Sequence, residues 1–188
     1  SRLRGNERYM NKKYITYGII AVITANGIIE IIRPNSLPQD IPNNYIEDDS
    51  QKVIEYKRLA NVRTNKELEY ISSEWKDRFG NFPEEVSNLK RIVELRIFAN
   101  DLDIKLIKGD FENVKIYTNL RLDIWLNIQG KLPKHLVVRT AFKGSARGGS
   151  ENSYLLVKTA GLSASQQIDI LFDLLHCLQS INSNKKIA

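Results

Sequence analysis

The period of apolar and polar positions changes twice along this chain, from strand-like to helical and then to a mixture of the two. Two β-branched runs open it, Tyr14 to Thr24 and Gly27 to Arg33. Ala25-Asn26 and then Gly27 separate them, which suits a tight reversal at positive φ and predicts a hairpin. Pro34, Pro38 and Pro42 follow at four-residue intervals. Proline donates no hydrogen bond to a ladder, so residues 35–44 read as an extended connector. A helical period begins at Asp49 or Ser50, either of which can cap a helix to about Asn61 with Val53, Ile54, Tyr56, Lys57 and Leu59 at helical spacing. Thr64 and Glu67 form a capping box. The helix they open carries Leu68, Ile71, Trp75 and Phe79 inward, and Gly80 is expected to end it as a left-handed cap. Pro83 as a first-turn residue, with Glu84 and Glu85 favoured by the helix dipole, starts a longer helix to about Asp101. Its predicted stripe is Val86, Leu89, Val93, Ile97 and Leu102, with Ile92 and Leu95 flanking.

Beyond that helix the two periods mix. Ile104 to Lys108 and Val114 to Thr118 alternate like strands around Gly109-Asp110, and Leu120 to Gln129 reads as a helix stopped by Gly130. His135 to Ala141 reads as a strand, with Tyr154 to Lys158 its hairpin partner across residues 143–152. Ser163 caps a last helix with Ile168, Leu171, Leu174, Leu175 and Leu178 on one face. This order predicts an α+β fold: a helical N-terminal half packed on a small, mainly antiparallel sheet, with a C-terminal helix. The expected organisation is a tail, hairpin and proline-rich connector over 1–44, a domain over 45–180, and a disordered tail over 181–188. The opening SRLRGNERYM lacks an initiator methionine and reads as the cut end of a longer polypeptide.

Composition narrows the chemistry. A chain of 188 residues, 42% hydrophobic, buries roughly 70% of its unfolded surface and needs no staple. Cys177 is the single cysteine, and His135 and His176 stand in no ligand spacing with it, so neither a disulfide nor a zinc site is expected. Polar residues interrupt the apolar stretch Ile15 to Ile32, which excludes a membrane span, and without a visible cleavable signal the cytoplasm is the default. Gly144 and Gly149 have Walker A spacing, but Ser150 occupies the lysine position and no helix follows, so no nucleotide cofactor is expected. His176 and Cys177 are neighbours about 100° apart on a helix and cannot pair as base and nucleophile. Asp48-Asp49 and Glu84-Glu85 are accounted for as dipole-compensating caps. Nothing here points to catalysis.

A net charge of +6 invites a nucleic-acid reading. Lys131, Lys134, Arg139, Lys143, Arg147 and Lys158 gather in the C-terminal half, and a basic hairpin loop with Lys143 and Arg147 could follow phosphates. That rival has little aromatic support beyond Phe142 and Tyr154. The charge also divides unevenly: residues 40–112 carry −4, and the excess of cations lies on either side.

Within the acidic segment, Glu74, Asp77 and Arg78 stand at i, i+3 and i+4, projecting from one side of a helix while Trp75 and Phe79 project from the other. Two acceptors beside a planar five-donor fork suit bidentate pairing with a charged surface. The plainer alternative is an intrahelical Glu74–Arg78 pair worth about 0.3–0.5 kcal/mol. The surrounding sequence resembles the C-terminal domain of bacterial transcription-repair coupling factors, the Mfd family. The resemblance rests on Tyr45-Ile46 after the connector, on Tyr56-Lys57-Arg58, on the helix start Thr64, Glu67, Leu68, and on the signature Glu74, Asp77, Arg78, Phe79, Gly80, Pro83. Leu89, Leu95-Arg96, Ala99 and Ile104 continue it. It is densest over 45–104, thinner over 105–178, where it is similar to cyanobacterial and plastid-like members, and absent over 1–33.

The resemblance implies a non-catalytic regulatory module. In that family the parent is an ATP-driven DNA translocase that displaces stalled RNA polymerase and recruits UvrA through a UvrB-like region. The C-terminal domain packs against the UvrB-like region and masks the UvrA-binding surface. The motif carries the clamp role onto Glu74, Asp77 and Arg78. Implied partners are therefore the UvrB-like region of the same factor and, indirectly, UvrA and RNA polymerase, with neither membrane nor cofactor.

Overall fold

The computed structural model describes residues 20–24, 27–31, 41–102, 104, 106–109, 112–144 and 153–185, and for 20–24, 27–31 and 181–185 the backbone alone. β1 (Ile20–Thr24) and β2 (Gly27–Ile31) form the expected antiparallel hairpin, with Thr24 opposite Gly27. Pro34 and Pro38 lie outside the described residues.

Three helices follow: α1 (Asp49–Asn61), α2 (Asn65–Phe79) and α3 (Glu84–Asp101). Asp48, one residue earlier than expected, caps α1, its carboxylate accepting from the amides of Ser50 at 2.6 Å and Gln51 at 3.2 Å. An aspartate outside the first turn satisfies two orphan amides that Asp49, already helical, cannot reach. The Thr64–Glu67 capping box of α2 is present in both directions. Gly80 ends α2 at φ 88° but with ψ −161°, so it is not the left-handed cap expected. It is a positive-φ extended residue, open to glycine alone, that turns the chain sharply toward α3. Pro83 sits at the N-cap of α3 and not inside its first turn.

β3 (Leu106–Gly109), β4 (Asn113–Tyr117), β5 (Thr140–Lys143) and β6 (Tyr154–Lys158) form an antiparallel sheet in the order β3-β4-β6-β5. α4 (Leu122–Gln129) and α5 (Lys134–Val137) lie between β4 and β5, and α6 (Ala164–Lys185) closes the chain. The expected strand His135 to Ala141 is corrected here. Its first half is the helical turn α5, started by Pro133 at φ −54°, and only Thr140 onward pairs with β6. Pro133, its own φ fixed and with no amide to leave unsatisfied, favours a helix start at this point, and Leu136 is fully buried. A second correction concerns the C-terminus: α6 continues to Lys185, so residues 181–185 of the expected disordered tail are helical. Ser163 caps α6 as expected, within a reciprocal box in which the Ser163 hydroxyl accepts from the Gln166 amide and the Gln166 side chain accepts from the Ser163 amide.

Two apolar cores result. In the helical core Ile41, Tyr45, Leu59, Leu68, Ile71 and Trp75 meet Val86, Leu89, Val93 and Ile97 of α3. In the sheet core Val114, Ile116, Leu155 and Val157 from one face of the sheet meet Trp125, Ile128, Leu136 and, from the predicted α6 stripe, Leu171, Leu174, Leu175 and Leu178. Leu95 and Ala99, from the other side of α3, belong to this second core. α3 is therefore a wall common to both, and its buried set, which includes the flanking Ile92 and Leu95, extends past the expected positions to Asn88, Arg96 and Ala99. Among the described residues no helix is long and apolar enough to cross a membrane.

A candidate interaction surface on α1 and α2

The charged triplet of α2 lies beside α1 because the turn at Val62-Arg63 and the capping box bring the two helices side by side. Arg96 of α3 fixes the end of α1: buried, it donates to the carbonyls of Leu59 at 2.9 Å, Ala60 at 3.0 Å and Val62 at 2.6 Å. They lie at the negative end of the helix dipole, where a cation belongs, and only the Leu59 carbonyl has a backbone donor as well, the Val62 amide at 3.2 Å. Burial holds the Arg96 guanidinium down to about 10. Tyr45 ties the preceding segment to the far end of α2, its hydroxyl donating to the carbonyls of Trp75 and Gly80. Burial pushes that phenol up to about 12.

At the α1–α2 junction sits Glu55, fully buried and not singled out by the sequence. Four donors reach its carboxylate: Gln51 Nε2 at 2.6 Å, Trp75 Nε1 at 2.8 Å, Arg58 Nη1 at 2.9 Å and Arg78 Nη1 at 3.4 Å. That number matches the lone-pair directions of a carboxylate and offsets the cost of taking it out of water. The one signal in the sequence is positional: Gln51, Glu55 and Leu59 follow one another at i+4 on the inner face. Ile54, counted with the helical pattern, is 50% exposed instead.

Glu74 is drawn into the same network. Arg58 grips it bidentately, Nη1 at 2.9 Å and Nη2 at 2.6 Å, and Arg78 Nη1 donates at 3.0 Å. Hydrogen bonding from Arg58 foremost, with Arg78 adding and burial opposing, holds the Glu74 carboxyl down to about 2. The same pairing raises Arg58 above the usual guanidinium range, again with burial opposing. The intrahelical Glu74–Arg78 pair is thus present as one edge of a larger network. Arg78 also lies over the Phe79 ring at 4.7 Å and remains 42% exposed at its side chain. Asp77 is exposed and forms no ion pair among the described residues. Of the triplet, then, Glu74 faces inward, Arg78 bridges network and solvent, and Asp77 faces solvent.

Other candidates are dispersed. Lys143 is exposed at the end of β5, and Arg147 lies outside the described residues. Arg139 donates to the Lys158 carbonyl. Cys177 is half-buried, its thiol pushed up by burial and by Asp173. His135 meets Asp173 at 3.3 Å, far in sequence from the helical core. Among the described residues no three metal-ligating side chains converge.

Fold and surface together define an α+β module whose distinctive chemistry is an ion-pair network at a helix junction. Residues 36–124 match the model of the TRCF domain family. It is 30% identical over 143 residues to the transcription-repair-coupling factor of Bacillus subtilis, a match spanning 75% of this chain and 12% of that protein. With the factor of Borreliella burgdorferi it shares 31% over 109 residues, 56% of this chain and 10% of that protein. The chain thus spans about a tenth of the length of these relatives. A crystal structure of the C-terminal domain of transcription-repair coupling factor superposes with a TM-score of 0.61 at 16% identity, covering 82% of this chain and 93% of that one.

Proposed function

We propose that this chain serves as the regulatory C-terminal domain of a transcription-repair coupling factor, clamping on the UvrB-like region of the same factor. The clamp masks the surface that recruits UvrA until the factor engages stalled RNA polymerase. The domain performs no chemistry of its own; translocation on DNA belongs to the rest of the parent. One observation carries the reading: the Glu55-centred network holds Arg78 at the surface next to an unpaired Asp77. A guanidinium with its orientation fixed loses less freedom on meeting a partner than one free to rotate. Exposed ion pairs are individually weak, about 0.2–1 kcal/mol. An interface made of them is one that a conformational change in a motor can open.

The test is a pull-down of the UvrB-like region from the same organism by this chain. Retention by the native chain and its loss in the combined Glu74→Ala, Asp77→Ala, Arg78→Ala variant is the expected result. No retention by the native chain, or indifference to the triple change, overturns the clamp.

A further inference from the structure

The network does not end at Glu74. Arg58, its bidentate partner, also lines an open groove of about 600 Å³ between the end of α1 and the first turns of α2. Val62 and Ile71 supply apolar surface there, and Tyr70 flanks it with 71% of its surface in solvent. This tyrosine has no hydrogen-bond partner among the described residues and belongs to neither apolar core. Along α2, Tyr70, Glu74 and Asp77 stand at i, i+4 and i+7, so they form one stripe. Groove, network and unpaired carboxylate are therefore one continuous surface, apolar at its N-terminal end and anionic at Asp77.

We infer that the groove beside Tyr70 receives an apolar side chain of the UvrB-like region, one that lies next to a basic residue meeting Asp77. The inference rests on the clamp reading and extends it from charge pairing to a mixed interface. The spacing sets the partner's pattern: Tyr70 to Asp77 is two helical turns, about 10 Å. The partner's apolar and basic groups must be separated by that distance on one face. Tyrosine is the type of residue that anchors interfaces, since it buries much area for little lost freedom. The negative charge of segment 40–112 favours a basic partner over an acidic one.

Titration calorimetry of this chain with the UvrB-like region tests it, using Tyr70→Ala, Tyr70→Phe and Asp77→Ala. Tyr70→Ala is expected to weaken binding about tenfold or more, Tyr70→Phe to leave it within about twofold, and Asp77→Ala to weaken it independently. Circular dichroism should show native folding for all three, because both positions are solvent-exposed. Binding that responds to Asp77→Ala but not to Tyr70→Ala overturns the groove and leaves the clamp standing. Absence of binding by the native chain overturns both.

Discussion

Glu55 has four donors, and removing one leaves part of a buried carboxylate unsatisfied, at a cost of about 1–3 kcal/mol. Its neighbour Glu74 offers the more accessible test, because its position is half in water and its titration is separable. Its folded-state pKa, about 2, lies below the unfolded carboxylate value near 4.3. A depressed acid stabilises the fold fully above the unfolded value, and that contribution is lost as pH falls from about 4.3 toward 2. Glu74→Gln should therefore lower the melting temperature at pH 7, with the difference from the native chain shrinking through this window and vanishing only well below pH 2, under both pKa values. A difference that persists undiminished from pH 7 to pH 2 would mean that the amide disturbs packing and that ionic pairing is not the cause. The triplet's spacing was legible in the sequence, but not the direction each side chain takes. Spacing places Glu74, Asp77 and Arg78 together on a helix; only the arrival of Arg58 from another helix decides that Glu74 turns inward. Glu55 was hidden because charge ordinarily marks an outward face.

Among the elements, α1 depends on a side chain from α3. Replacing Arg96 by leucine removes three hydrogen bonds at the end of α1, leaving the Ala60 and Val62 carbonyls without a donor and the Leu59 carbonyl with the Val62 amide alone. At about 1 kcal/mol each for a lost buried hydrogen bond, Arg96→Leu should cost roughly 2–3 kcal/mol. Urea unfolding should show this as a lower midpoint at unchanged slope. An unchanged midpoint would mean that water caps α1 as well as the guanidinium does. Element boundaries were readable wherever a local device sets them. The Thr64–Glu67 box, Gly80, Pro83 and Ser163 each act within a few residues, and each falls within one or two positions of a real helix end. The segment from 135 to 141 was misread because β-branched residues favour strands only when a neighbouring strand is available. Pro133 and the burial of Leu136 commit the first half to a helical turn, and β6 reaches only as far as Thr140.

For the whole molecule, the α+β order was legible, while the division into two cores was not. A stripe of apolar positions implies one buried face, and α3 has two, facing Val86–Ile97 partners on one side and the sheet through Leu95 and Ala99 on the other. The two tryptophans report separately on the cores, Trp75 in the helical one and Trp125 in the sheet. In variants Trp75→Phe and Trp125→Phe, fluorescence of the remaining tryptophan and far-ultraviolet circular dichroism should give superimposable denaturation curves, as a shared wall makes the cores unfold together. Separated curves would show that α3 melts in parts.

The shared helix also has a mechanical meaning. Eighteen residues of continuous α-helix make a rod about 27 Å long, packed at one flank against Trp75 of α2 and at the other against the sheet. A tug on Asp77 is borne by α2, passed to this rod through close-packed side chains, and delivered to the strands as a displacement of the whole strut instead of being absorbed by a slack loop.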